Sequence, residues 1–95
     1  MNTLARRVYP NAGDEPGYIR LEAGEYGKDS EGRWFARVPS EAVFGPIWLN
    51  NPENAWTVQE HNDGTVSVSP SIHSIGPNNE TLWHGFLRRG VWEEC

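Results

Sequence analysis

The sequence predicts an all-β or β-rich α+β domain, a small antiparallel sheet or barrel-like fold built from three hairpins. Segments that alternate apolar and polar residues recur at 18–22, 56–60 and 65–69, the period of half-buried strands. Gly-ended turn clusters at 30–32, 62–64 and 88–90 each separate two such segments. Helix signals are few, and Gly45-Pro46 interrupts the most apolar stretch.

Ninety-five residues make one domain, with no room for a second core. At 37% hydrophobic and 22% charged, the composition is that of a globular chain. Its net charge of −5 argues against duplex nucleic acid as a partner, because phosphate binding leaves a basic footprint. No apolar run is long enough to cross a membrane, and no apolar segment follows Arg6-Arg7 to make a secretory signal. A single Cys, Cys95, excludes an intramolecular disulfide and points to the cytosol.

Residues 1–17 are rich in breakers and read as a loop or arm, with a short strand around Arg7-Val8-Tyr9; residues 18–95 form the β-rich core. Residues 18–22 read as a half-buried strand. In the hairpin of residues 25–38, a three-residue loop ends at Gly32, placing Asp29 opposite Arg33 and Glu25 opposite Arg37. Ser40 caps a short turn, and residues 42–49 are a buried apolar run.

The central hairpin, 56–72, has two candidate registers. A two-residue Asp63-Gly64 turn mixes its faces. A three-residue Asn62-Asp63-Gly64 loop pairs Val58 with Val68 and Glu60 with Val66, and turns Thr57, Gln59, His61, Thr65, Ser67 and Ser69 to the opposite side. The segregated register is expected. The same device at 79–95, with Arg88-Arg89-Gly90 as its loop, pairs Leu87 with Val91 and Phe86 with Trp92. Both faces of that hairpin are then apolar, so it is either central to the fold or covered by another chain, and in a domain this small a homo-oligomer is expected.

From Asp63 to Ile72, with its Ser69-Pro70-Ser71-Ile72 strand, and from Trp83 to Trp92, the chain resembles small actinobacteriophage accessory proteins. It is similar, more distantly, to a bacterial family with a Ser-Pro-Ser-Ile strand and a His-aromatic tail. That family carries upstream cysteines that look like metal ligands; residues 44–56 here contain none. The resemblance implies a phage protein working in the host cytosol and brings no established activity.

Chemistry is sparse in the pattern. His61, His73, His84 and Cys95 lack zinc-ligand spacing, so no metal and no cofactor are expected. Neither a Gly-x-Ser-x-Gly elbow nor a Cys-His signature is present, so the reading is non-enzymatic. Arg88 and Arg89 offer a grip for an anion, His84 adds a third donor, Trp83 and Trp92 offer flat rings, and Ser69 and Ser71 offer hydroxyls. Together these are the expected ligand-binding residues of a phage counter-defence protein. Such a protein would sequester a small anionic nucleotide signal, a cyclic nucleotide or cyclic ADP-ribose derivative, without chemistry. The alternative is a protein-interaction or structural phage module, either a virion component or a host-protein inhibitor.

Overall fold

A computed structural model describes residues 2–10, 20–53 and 56–95. Among these the chain is all-β and forms two sheets that share one core. The strands are β1 (Asn2–Leu4), β2 (Arg6–Arg7), β3 (Glu25–Lys28), β4 (Trp34–Ala36), β5 (Ile47–Trp48), β6 (Thr57–Glu60), β7 (Val66–Ile75), β8 (Thr81–Arg88) and β9 (Val91–Glu94). One sheet is fully antiparallel in the order β1-β9-β8-β7-β6; the other runs β2-β3-β4-β5, with β2 parallel to β3.

Of the segment expected as a loop or arm, residues 2–7 are built into the sheets, and residues 11–17 lie outside the described residues. Asn2–Leu4 pairs with β9, and Arg6–Arg7 pairs with β3. Between them Ala5 is buried, its N–H bonded to Gly90 O at 2.8 Å, so the chain steps from one sheet to the other there. Breaker-rich composition hid this, because two- and three-residue edge strands carry too few positions to show a period. The strand expected at 18–22 lies partly outside the described residues, and Arg20 to Glu22 are not in a strand.

The first hairpin has the expected register, with Tyr26 opposite Ala36 and Lys28 opposite Trp34. Asp29 is buried and takes Arg33 Nε at 2.8 Å. Glu25 is held differently: its carboxylate takes Arg6 at 2.9 Å, while Arg37 donates to the carbonyls of Leu21 and Val43. The short β2 strand, expected one or two residues later around Arg7-Val8-Tyr9, supplies that arginine.

The central hairpin also adopts the segregated register, Val58 opposite Val68 and Glu60 opposite Val66. Val66, Val68 and Ile72 turn into the core against Tyr26, Trp34, Ala36, Val38 and Leu49 of the other layer. Each such side chain contributes about 1.5–3 kcal/mol relative to exposure. Glu60, on the core side at the open edge of β6, is satisfied by Arg7 at 2.8 Å and Lys28 at 3.3 Å.

The C-terminal hairpin overturns its expected register by one residue. Leu87 faces Trp92, Phe86 faces Glu93 and Arg88 faces Val91, leaving the two-residue turn Arg89-Gly90 with φ of +46° and +77°. Two positive φ values suit the right-handed twist of a two-stranded ribbon. This register separates the faces: Trp83, Gly85, Leu87 and Trp92 are buried, and His84, Phe86, Arg88 and Glu93 lie on the other side. One face is therefore polar, and the hairpin gives no reason of its own to expect a homo-oligomer.

Candidate active site

The outer face of the five-stranded sheet carries the functional side chains. Alternation along β7 and β8 puts Ser67, Ser69, Ser71 and His73 beside His84, Phe86 and Arg88. An irregularity in the pairing then sets their spacing. Val68 faces Leu87 and Ile72 faces Gly85, so residues 69–71 stand opposite Phe86 alone. Extra residues on one strand re-aim side chains there, as bulges commonly do beside active sites. The Ser69-Pro70 peptide within this stretch is cis.

Across the bulge, Ser71 Oγ lies 3.1 Å from His84 Nε2. Both residues are half-buried, so the pair is held by the fold yet reachable from solvent. Trp56 Nε1 donates to Ser71 O at 3.2 Å, and Cys95 N–H donates to His84 O at 2.9 Å, which fixes the backbone at both members. His73 is directly opposite His84 in register. Its ring centroid is 4.9 Å away, and its Nε2 lies 2.8 Å from Thr81 Oγ1. Chemically, a serine hydroxyl within hydrogen-bond reach of an imidazole is the geometry that a nucleophile and its general base require.

The other expected ligand residues separate into two groups. Trp83 and Trp92 are core, 3% and 0% exposed, packed edge to face at 5.4 Å, with Trp92 Nε1 donating to Gly24 O. Neither can stack a ligand; the one-residue shift in register moved Trp92 from the side of Phe86 to the inward side that Trp83 shares with Leu87. Arg88, Arg89 and Ser69 do converge, lining a groove of about 450 Å³ with Phe86, Thr57 and Gln59. Arg88 lies over the Phe86 ring at 4.0 Å and pairs with Glu93 at 2.8 Å, so its charge is partly met within the chain.

Near the hairpin tip, His61 Nε2 is 2.7 Å from Ser67 Oγ, which also accepts the Arg89 N–H. Asp63 takes both Thr65 N–H and Thr65 Oγ1, and these hydrogen bonds hold its carboxyl below the usual aspartate range. Among the described residues no group of three or more His, Cys, Asp or Glu side chains is placed to hold a metal.

Ser71 and His84 stand out in the sequence, but as ligand-holding residues, while His73 stands out only as a candidate metal ligand and Phe86 only as one of several flat rings. The Ser-Pro-Ser-Ile strand was the available signal. Its pairing with His84 needed the bulge, which no spacing rule supplies.

A family model described as bacterial ubiquitination-like system serine protease (BubE) matches residues 42–95. That span holds β5 to β9, and with them Ser71 and His84. No curated protein and no solved structure matches the chain at a significant level.

Proposed function

The chain belongs to the bacterial ubiquitination-like system serine protease (BubE) family, and from that premise we propose that it is a serine peptidase. Ser71 is the nucleophile, His84 the general base, and the substrate a polypeptide of a ubiquitination-like system. The observation that carries this reading is the 3.1 Å approach of Ser71 Oγ to His84 Nε2 on an accessible sheet face.

With its proton on Nδ1, His84 accepts the Ser71 hydroxyl proton at Nε2 as Oγ attacks the scissile carbonyl carbon. The C–N bond breaks, His84 returns the proton to the leaving amine, and an acyl-Ser71 ester remains. Water attacks that ester, giving a proton to His84, which passes it to Ser71 Oγ as the acyl–oxygen bond breaks, so the acid product leaves and the Ser71 hydroxyl is restored. The missing elbow motif does not count against this chemistry, because nucleophile-base pairs are recognised by geometry on unrelated folds.

Reaction with a fluorophosphonate followed by peptide mapping tests the assignment. A single adduct at Ser71 is expected, absent in Ser71→Ala and slowed by roughly a thousandfold or more in His84→Ala. An unlabelled wild-type protein, or equal labelling of Ser71→Ala, overturns it.

The groove at Arg88, Arg89 and Ser69 supports a second reading. In it the chain is a phage counter-defence protein that sequesters an anionic nucleotide signal, with Phe86 rather than a tryptophan in the stacking role. Calorimetric titration of Ser71→Ala and Arg88→Ala/Arg89→Ala variants with cyclic nucleotides and ADP-ribose derivatives separates the two. Sequestration requires binding that survives the first change and fails with the second.

A further inference from the structure

A second groove shares two wall residues, Trp56 and His73, with the immediate surroundings of the Ser71–His84 pair. Strand β6 pairs with β7 only as far as Ser69, whereas β7 continues to Ile75. Beyond Ser69, among the described residues, that side of β7 has no strand neighbour. Alongside this open edge runs a groove of about 480 Å³, lined by Phe44, Ile47, Trp56, His73, Ile75 and Leu82 among others. Phe44 is 87% exposed and Ile75 54%, unusual for large apolar side chains beside an unpaired strand. Open edges and apolar patches of this kind favour the addition of another strand.

Two wall residues touch the pair. Trp56 in its wall donates to the Ser71 carbonyl, and His73 in its wall packs against His84 at 4.9 Å. Apart from His73, none of these six side chains carries a titratable group, so a charged segment gains nothing there. We infer that an extended segment of the polypeptide substrate lies along the β7 edge and places a large apolar side chain between Phe44, Ile47 and Trp56. Backbone pairing with the open edge would hold the segment, and the apolar wall would select its side chain, as in other strand-addition modes. The inference rests on the peptidase reading and adds the specificity of that site. The matched family segment, residues 42–95, takes in the whole of this wall.

The probe is a pair of internally quenched peptides, identical except for a Leu or a Ser flanking the cleaved bond. Two variants are compared with wild type: Phe44→Asp, at an exposed position that does not support the core, and the double change Arg88→Ala/Arg89→Ala in the opposite groove. Phe44→Asp is expected to keep its melting temperature and its rate of fluorophosphonate labelling at Ser71, since that small probe does not need the groove. Its kcat/KM for the Leu peptide falls roughly tenfold, through KM, to the level of the Ser peptide.

Binding is read separately in a Ser71→Ala background, by tryptophan fluorescence with the Leu peptide. Affinity there falls by a similar factor when Phe44→Asp is added. Unchanged binding and cleavage in Phe44→Asp overturns the inference, as does loss confined to the arginine double variant. If wild type takes no fluorophosphonate, the peptidase reading fails, and the binding titration still decides the groove.

Discussion

Gly85→Ala probes the join between core and site. Gly85 faces Ile72 on β7 and Glu94 on β9, one residue after His84. A Cβ there would collide with the Glu93 carbonyl oxygen, and would lie 2.7 Å from Trp83 Cη2 and 2.9 Å from Glu94 Cα. Carbon contacts settle at about 3.5–4.0 Å, so Trp83 would have to retreat by roughly 0.8 Å or more. It has nowhere to go, being buried with its ring edge-on to Trp92 at 5.4 Å. The other two obstacles are backbone of β9 and move only with that strand.

Overpacking costs about 1–3 kcal/mol, and backbone obstruction puts this case at the upper end. The smaller unfolded-state entropy of Ala returns roughly 0.4–1 kcal/mol. A net loss of about 2–3 kcal/mol lowers the melting temperature of a domain this size by roughly 10–20 °C. Thermal unfolding followed by near-ultraviolet circular dichroism reads it directly. Fluorophosphonate labelling of Ser71 below the melting range should slow as well, because β8 carries His84. A melting temperature within about 2 °C of wild type would refute this packing of β8 on β9.

Three further changes test neighbouring claims. Arg7 and Lys28 hold the Glu60 carboxyl below the usual glutamate range; a depressed folded value gives stability that is present above the unfolded pKa and lost as pH falls through the folded one. Glu60→Gln should therefore flatten the decline of stability from the ordinary glutamate range downwards, as read by urea midpoints across acidic pH. Arg89→Asn should raise stability by about 0.5–1 kcal/mol in chemical denaturation, since Asn accepts the positive φ of this two-residue turn more readily than Arg. Trp92→Phe removes the donor to Gly24 O and leaves a void in a fully buried site, costing about 2–4 kcal/mol by the same measurement.

Much of the fold was legible because it follows from local chemistry. The central register followed from keeping Val58, Val66 and Val68 on one side, and the Glu25–Val38 hairpin from a loop that needs Gly32 at positive φ. Where two registers kept a hydrophobic face, as at Leu82 to Trp92, alternation alone could not choose between them. There the choice rested on packing: Trp92 fills the space against Trp83 and reaches Gly24 O from across the sandwich. The strand at Asn2 to Leu4 was hidden, and the one at Arg6-Arg7 misplaced by a residue or two, for a related reason, since each forms on an edge that β9 or β3 offers.

The candidate site divides in the same way. Sequence alone determined an all-β chain whose β7 strand presents Ser67, Ser69 and Ser71 away from an apolar back, with a histidine and arginines in the tail. Only tertiary structure decided which of those groups meet. Three residues of β7 stand against one of β8, and that count, set by long-range strand pairing, brings Ser71 Oγ to His84 Nε2, while the pairing of β8 with β9 puts Trp92 on the buried face beside Trp83. Alternation along a strand says which face a residue is on, but position across the sheet belongs to the pairing of strands.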